Sequence, residues 1–179
     1  MWTRRQIEDS VQQLLRKHHI SQPPIPVDVI ARAEGLQILE TSLTGDVSGA
    51  LVRNKGLSGI AVNNQHHPNR RRFTIAHELA HFLLDHEGKD NHIDWQFTVI
   101  RRDGVSSEAS DSQEIEANFF AASLLMPKEL LRSDLSSRLG YNSEAGINDA
   151  EIQILARKYQ VSDTALKYRL MNLGLLSML

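Results

Sequence analysis

Residues 73–87 read FTIAHELAHFLLDHE, and within them residues 77–81 spell His-Glu-x-x-His. Histidines four apart share one face of a helix, so His77 and His81 can hold one ion between them. Glu78 follows His77 by one residue and is rotated from it by about 100°. It therefore stands beside such an ion, where a base for water belongs. Composition alone produces one such pentapeptide in a chain of this make-up roughly 2% of the time, so the motif needs support from its surroundings. The helix supplies some. At about 100° per residue, Thr74, Glu78, His81 and Asp85 fall with His77 inside one arc of about 100°. Ile75, Ala76, Leu79, Ala80, Phe82, Leu83 and Leu84 occupy nearly all the rest. A helix apolar almost all round is a buried one, and its single polar stripe carries the motif. We expect it to run from about residue 70 to 86.

A catalytic metal site of this kind needs a third protein ligand. The extended motif HExxHxxGxxH requires glycine at position 84 and histidine at 87, but the chain has Leu84 and Glu87. The ligand must come from elsewhere. Glu87, Glu108, Glu114 and Glu116 are candidates, with His86 and His92 behind them. Helix geometry separates the two best. In EIEANFFAASLLM, residues 114–126, Asn118, Ala121, Ala122 and Leu125 lie within about 80° of Glu114. Glu116 lies near the opposite side, at about 200°, together with Ser123. Glu114 and Asn118 are thus expected in an apolar, core-facing surface, and Glu116 and Ser123 in a narrow outer stripe. A buried carboxylate is costly without a partner, and metal coordination is one remedy. Asn118, one turn on, is placed to accept a hydrogen bond from the free ring nitrogen of His77, which fixes the tautomer.

The rest of the chain agrees with an α+β domain. Its 179 residues and 41% apolar content suit one compact unit, and we expect residues 1–179 to form a single domain. The formal net charge of −2 argues against dominant phosphate binding. Without cysteine, any metal must take His, Asp or Glu ligands. Residues 3 to about 19 read as an amphipathic helix with Ile7, Val11, Leu14 and Leu15 on one face. VDVIARAEG reads as a short helix stopped by Gly35. LQILET, SGALVR and SGIAVN, between residues 36 and 63, read as three strands separated by turn residues such as Gly45, Asp46, Asn54 and Gly56. QHHPNRRR is a polar loop, and residues 87–111 are loop-like with a possible strand at WQFTVI. Asp111 with Glu114 has capping-box character for the next helix, which Pro127 ends. KELLRSDLSSRL is a further helix, residues 140–148 a loop, and the last segment two short helices around QVSD. The expected fold is a small antiparallel three-stranded sheet packed on a helical body, zincin-like, with the metal site between two helices. No apolar run approaches membrane-spanning length, and the N-terminus lacks the apolar stretch of a signal peptide. The expectation is a cytoplasmic protein with no membrane partner.

RRRFTIAHELAHFLLDHE, EIEANFFAASLLMP and LARKYQVSDTALKYRLMNLGLL, taken in order, resemble the signature segments of the ImmA/IrrE family of bacterial metallo-endopeptidases, gluzincin-like HExxH enzymes. PVDVIARAEGLQILE and GIAVN resemble the family's region before the zinc helix. The likeness covers roughly residues 24 to 176. It implies a Zn2+ cofactor held by His77, His81 and Glu114, the set that geometry favours, with Glu78 as catalytic base. It also implies a regulatory role: members cleave, or promote removal of, helix-turn-helix repressors that control mobile elements, prophages or DNA-damage genes. Tyr141, His86 and His92 are unranked candidates for stabilising the oxyanion.

Two rival readings stand beside this one. Residues 149–179 form a helix-turn-helix-like subregion, with Arg157, Lys158, Lys167 and Arg169 near the turn. A DNA-binding regulator is therefore conceivable, although the chain lacks a basic excess and nucleic acid is not the expected partner. The other rival is an inactive zinc-binding interaction protein. Arg70, Arg71 and Arg72 are expected as a solvated lead-in to the zinc helix. The pairs His18-His19 and His66-His67 are expected as exposed histidines rather than a second metal site.

Overall fold

The computed structural model describes residues 1–44, 47–54, 57–85, 91–94, 108–139 and 147–176. Thr3 opens the first helix, α1 (Arg4–Lys17), through a capping box with Gln6. Ile7, Val11, Leu14 and Leu15 of α1 are buried, as the periodicity requires. α2 (Val27–Ala33) is short and is followed by Gly35 at φ 95°, a conformation glycine adopts without a Cβ penalty.

Then come β1 (Leu36–Thr41), β2 (Gly49–Asn54) and β3 (Leu57–Asn63). The expectation of a three-stranded antiparallel sheet is corrected here. The sheet has four strands in the order β1-β3-β2-β4, and β1 pairs with β3 in parallel. The fourth strand, β4 (Asn91–Asp94), pairs antiparallel with β2 and lies in a segment expected as loop. WQFTVI and the turn residues Gly45, Asp46 and Gly56 lie outside the described residues. The mixed pairing has a simple cause. Residues 42–48 connect β1 to β2, a stretch long enough to span two strand spacings of about 4.8 Å each. The short β2–β3 connection then returns β3 antiparallel to β2 and into the vacant slot beside β1. β3 lies between β1 and β2 with Ile60 and Val62 almost fully buried.

α3 (Pro68–Leu83) crosses this sheet. It begins before the expected residue 70 because Pro68 sits in its first turn and His67 caps it, accepting from the Asn69 N–H at 3.2 Å. Every residue from Thr74 to His81 is buried. The sheet lies on one side of α3, and α2 and α4 pack on others. Gly49 is required by this approach: a Cβ there would overlap the Thr74 Cγ2 methyl. The expected solvated lead-in holds in part: Arg70 is exposed and Arg71 and Arg72 are half-buried, and all three are bonded to other elements. Arg70 donates to Ser48 Oγ at 2.8 Å, Arg71 pairs with Glu40 at 2.8 Å, and Arg72 donates to the Ile25 carbonyl at 2.8 Å. They staple the helix start to the strands and to the segment before α2.

α4 (Glu108–Leu125) starts earlier than Asp111, which is therefore inside the helix and not its cap. α5 (Lys128–Leu139) follows immediately after Pro127. α6 (Asp149–Tyr159) and α7 (Asp163–Asn172) flank Gln160 to Ser162, with Gln160 in the left-handed region at φ 54°. Ala117, Phe120, Ala121, Leu124 and Leu125 of α4 are fully buried. α1 and α7 both pack on α4. Among the described residues, no helix is long and apolar enough to cross a membrane.

Candidate metal centre

The spacing of α3 sets the first half of the site. His77 and His81 lie one turn apart with ring centroids 4.7 Å from each other, and their Nε2 atoms approach to 3.0 Å. α4 supplies the rest. Glu114 places one carboxylate oxygen 3.1 Å from His77 Nε2 and the other 3.4 Å from His81 Nε2. Among the described residues this is the one group of three such side chains able to hold a metal ion. The spacing can be tested against an ion. Zinc bonds nitrogen and oxygen at about 2.0–2.1 Å, which separates neighbouring ligand atoms of a tetrahedron by about 3.3–3.4 Å. The 3.0 Å between the histidine nitrogens and the 3.1 Å from His77 to one Glu114 oxygen come within a few tenths of an ångström of that edge, while the 3.4 Å contact of His81 is to the other carboxylate oxygen. Two imidazoles and a carboxylate suit zinc and other divalent first-row ions.

Asn118 lies one turn beyond Glu114 on the same face of α4. Its Oδ1 is 3.1 Å from His77 Nδ1. A proton on Nδ1 donated to that oxygen leaves the Nε2 lone pair directed at Glu114 and His81, the tautomer a metal ligand needs. Glu78 is fully buried. The two histidine side chains are only 2% and 3% exposed, whereas that of Glu114 is 37% exposed. The cluster is therefore walled on the α3 side and open on the Glu114 side. Glu114 does not sit in a closed apolar surface as expected from its helical neighbours.

The outer stripe of α4 differs from expectation in the opposite direction. Glu116 and Ser123 are buried, at 6% and 0% exposure. Glu116 accepts from the Trp2 backbone N–H at 2.8 Å, and Ser123 Oγ donates to Glu8 at 3.1 Å. α1 has covered the face that would otherwise meet water.

The remaining candidates divide three ways. His86, Glu87 and Tyr141 lie outside the described residues; Glu108 and His92 fall on α4 and β4, but their side chains are outside the description. The paired histidines form no second metal group among the described residues: His18 bonds Glu34 at 2.5 Å and His67 caps α3. The cations of the helix-turn-helix-like segment are largely consumed internally. Arg169 is 1% exposed, pairs with Glu8 at 2.7 Å and donates to the Met126 carbonyl at 3.1 Å. Burial lowers the pKa of this guanidinium, and the charge of Glu8 opposes the shift. Lys158 pairs with Asp134 at 2.5 Å and Lys167 with Asp149 at 2.7 Å.

Two further residues near the site belong to no motif. Arg53 of β2 donates to the His81 carbonyl at 3.4 Å and lies over the Phe82 ring at 5.9 Å. Its one sequence signal is an arginine two residues after the inward-facing Leu51. Trp2 donates through its indole N–H to the Leu84 carbonyl at 3.3 Å. Nothing in local periodicity marks a contact so distant in sequence.

Comparison with known proteins follows the same lines. Residues 31–171 match the Peptidase M78 family model, described as the IrrE N-terminal-like domain. The radiation response metalloprotease IrrE of Deinococcus deserti is 35% identical over 111 residues, 62% of this chain and 35% of that protein. The chain thus spans about a third of that relative's length. The metallopeptidase ImmA of Bacillus subtilis is 24% identical over 174 residues, 97% of this chain and 89% of that protein. A solved structure described as a Mycobacterium tuberculosis transcriptional regulator superposes with a TM-score of 0.62 at 15% identity, covering 92% of this chain and 46% of that one. At such identity the last likeness concerns the fold alone.

Proposed function

The chain belongs to the Peptidase M78 family of IrrE N-terminal-like domains, a family of metallopeptidases, and from that premise we propose that it is a zinc-dependent endopeptidase with a zincin-like, two-helix site. The observation that carries this reading is the convergence of His77 Nε2, His81 Nε2 and the Glu114 carboxylate within 3.0 to 3.4 Å, beside the buried Glu78. These three side chains would hold the ion. A bound zinc supplies Lewis-acid polarisation of the scissile carbonyl and makes water acidic enough to deprotonate near neutral pH. Glu78 accepts the proton of the attacking water as its oxygen bonds the carbonyl carbon. It then delivers that proton to the amine as the C–N bond breaks. Asn118 holds His77 in its ligating tautomer. The partly exposed Glu114 edge is where an extended peptide enters.

Glu78→Gln tests the chemistry. The amide cannot take the proton, so the variant should bind metal with wild-type stoichiometry and show a proteolysis rate lower by at least about 10²-fold. Proteolysis near the wild-type rate in this variant removes Glu78 as the base.

For the substrate we propose a folded helix-turn-helix repressor, which makes the enzyme a regulatory one. The support is the family resemblance, together with the α6–α7 pair as a second surface on which a partner can dock. Binding energy from a remote surface can orient one scissile bond. The expected result is a single cut in a cognate helix-turn-helix repressor and negligible turnover of casein. Digestion of unrelated unfolded proteins at many sites, at comparable rates, contradicts it.

A further inference from the structure

The C-terminal end of α3 and the middle of α4, the two helices that carry the candidate ligands, are bridged by a residue from the N-terminal segment. Trp2 donates its backbone N–H to Glu116 of α4 at 2.8 Å and its indole N–H to the Leu84 carbonyl at 3.3 Å. Leu84 is the C-cap of α3, three residues beyond His81. Glu116 lies two residues beyond Glu114 on the opposite face of α4. Helix-end carbonyls have no partner within their own helix, so the indole satisfies a group that otherwise needs water. Arg4 over the Phe119 ring at 5.3 Å and Glu8 on Ser123 extend the same seam along α4. The matched family segment begins at residue 31, so Trp2, Arg4 and Glu8 on one side of this seam lie outside it, whereas Leu84, Glu116, Phe119 and Ser123 lie within it.

The seam matters because of how the helices meet. The buried surfaces of α3 and α4 include alanines at 76, 80, 117 and 121. Short side chains resist axial sliding less than interlocked large ones, and a small slide changes the bite between two histidines on one helix and a carboxylate on the other. The geometry points to Trp2 as a positioning residue for the metal centre: by bridging the Leu84 carbonyl and the Glu116 carboxylate, it sets the register of α3 against α4. This inference rests on the reading of His77, His81 and Glu114 as metal ligands.

The test uses the full chain and two metals, with no activity readout. Zinc affinity is measured by chelator competition, and Co2+ absorption in the visible range reports ligand geometry. Trp2→Phe keeps a ring but loses the indole donor. It should weaken zinc binding by about 3–10-fold, less than the 10–100-fold expected for a direct hydrogen-bond partner of a ligand, and should alter the Co2+ spectrum. Glu116→Ala should behave similarly, and Glu116→Gln, which keeps an acceptor for the Trp2 N–H, should restore affinity. Tyr159→Phe removes a 2.9 Å hydrogen bond to Asp134 elsewhere and serves as a control for general destabilisation. Unchanged affinity and spectrum in Trp2→Phe overturn the inference, as does an equal loss in Tyr159→Phe at matched thermal stability. If the wild-type chain takes up no metal, the reading of the site falls, and this inference with it. Wild-type binding with an indifferent Trp2→Phe overturns this inference alone.

Discussion

Glu114 and Glu116 stand two residues apart on α4 and meet opposite surroundings. Glu114 reaches two histidine nitrogens of α3 and keeps 37% of its side chain exposed. Glu116 is nearly buried and is held by a backbone N–H from before α1. One face of the helix is polar and open. The other is polar and closed, and its groups are satisfied inside the protein: Glu116 by Trp2, Ser123 by Glu8, and Glu8 in turn by Arg169. Buried polar groups of this second kind fix how elements pack, and their loss is felt as stability. Groups of the first kind are felt as metal affinity and chemistry. The same residue type two positions apart thus serves two purposes, and the distinction lies in what covers each face.

Perturbations can break this contrast, the strongest first. Removing metal from the front face should lower unfolding free energy by about 4 kcal/mol when free zinc stands near 1,000 times its Kd. Calorimetry with and without chelator measures the increment, and it should persist in back-face variants. Arg169→Ala, on the back, should destabilise the metal-free chain by about 2–4 kcal/mol, because it strands Glu8 and the Met126 carbonyl. Denaturant unfolding would show this, and folded variant should still take up one metal ion per chain. Asn118→Ala should do the reverse, weakening metal binding by about 10–100-fold with little change in metal-free stability. Ser123→Ala should be the mildest, costing about 0.5–1.5 kcal/mol through its bond to Glu8 and leaving metal affinity unaltered. A large affinity loss in Ser123→Ala, or a large stability loss in metal-free Asn118→Ala, would merge the two faces.

Much of the site was readable from the chain, for local reasons. His77, Glu78 and His81 are related by helical rotation alone, and so are Glu114 and Asn118. Directions around a helix follow from spacing. Exposure does not, which is why Glu114 and Glu116 exchanged their expected environments. Covering the back of α4 depends on α1, more than a hundred residues away, and on Arg169 from α7. The strands were legible from alternation and their turns, but not their order. β1 and β3 become neighbours only because the 42–48 connection is long enough to leave a slot. The polar composition of Asn91–Asp94 hid β4, whose pairing is made by backbone groups that every sequence carries. The arginines at 70–72 read as solvated because their partners, Ser48, Glu40 and the Ile25 carbonyl, lie on other elements.

On the reading proposed above, α4 turns one carboxylate to a metal and the other to the protein interior. Metal content of purified Glu114→Ala and Glu116→Ala at saturating zinc, measured side by side with wild type, tests it most directly. Wild type and Glu116→Ala should each carry about one zinc per chain, the latter bound a few-fold less tightly, while Glu114→Ala should carry little. Equal zinc in Glu114→Ala and wild type, or loss of zinc in Glu116→Ala alone, would contradict the assignment.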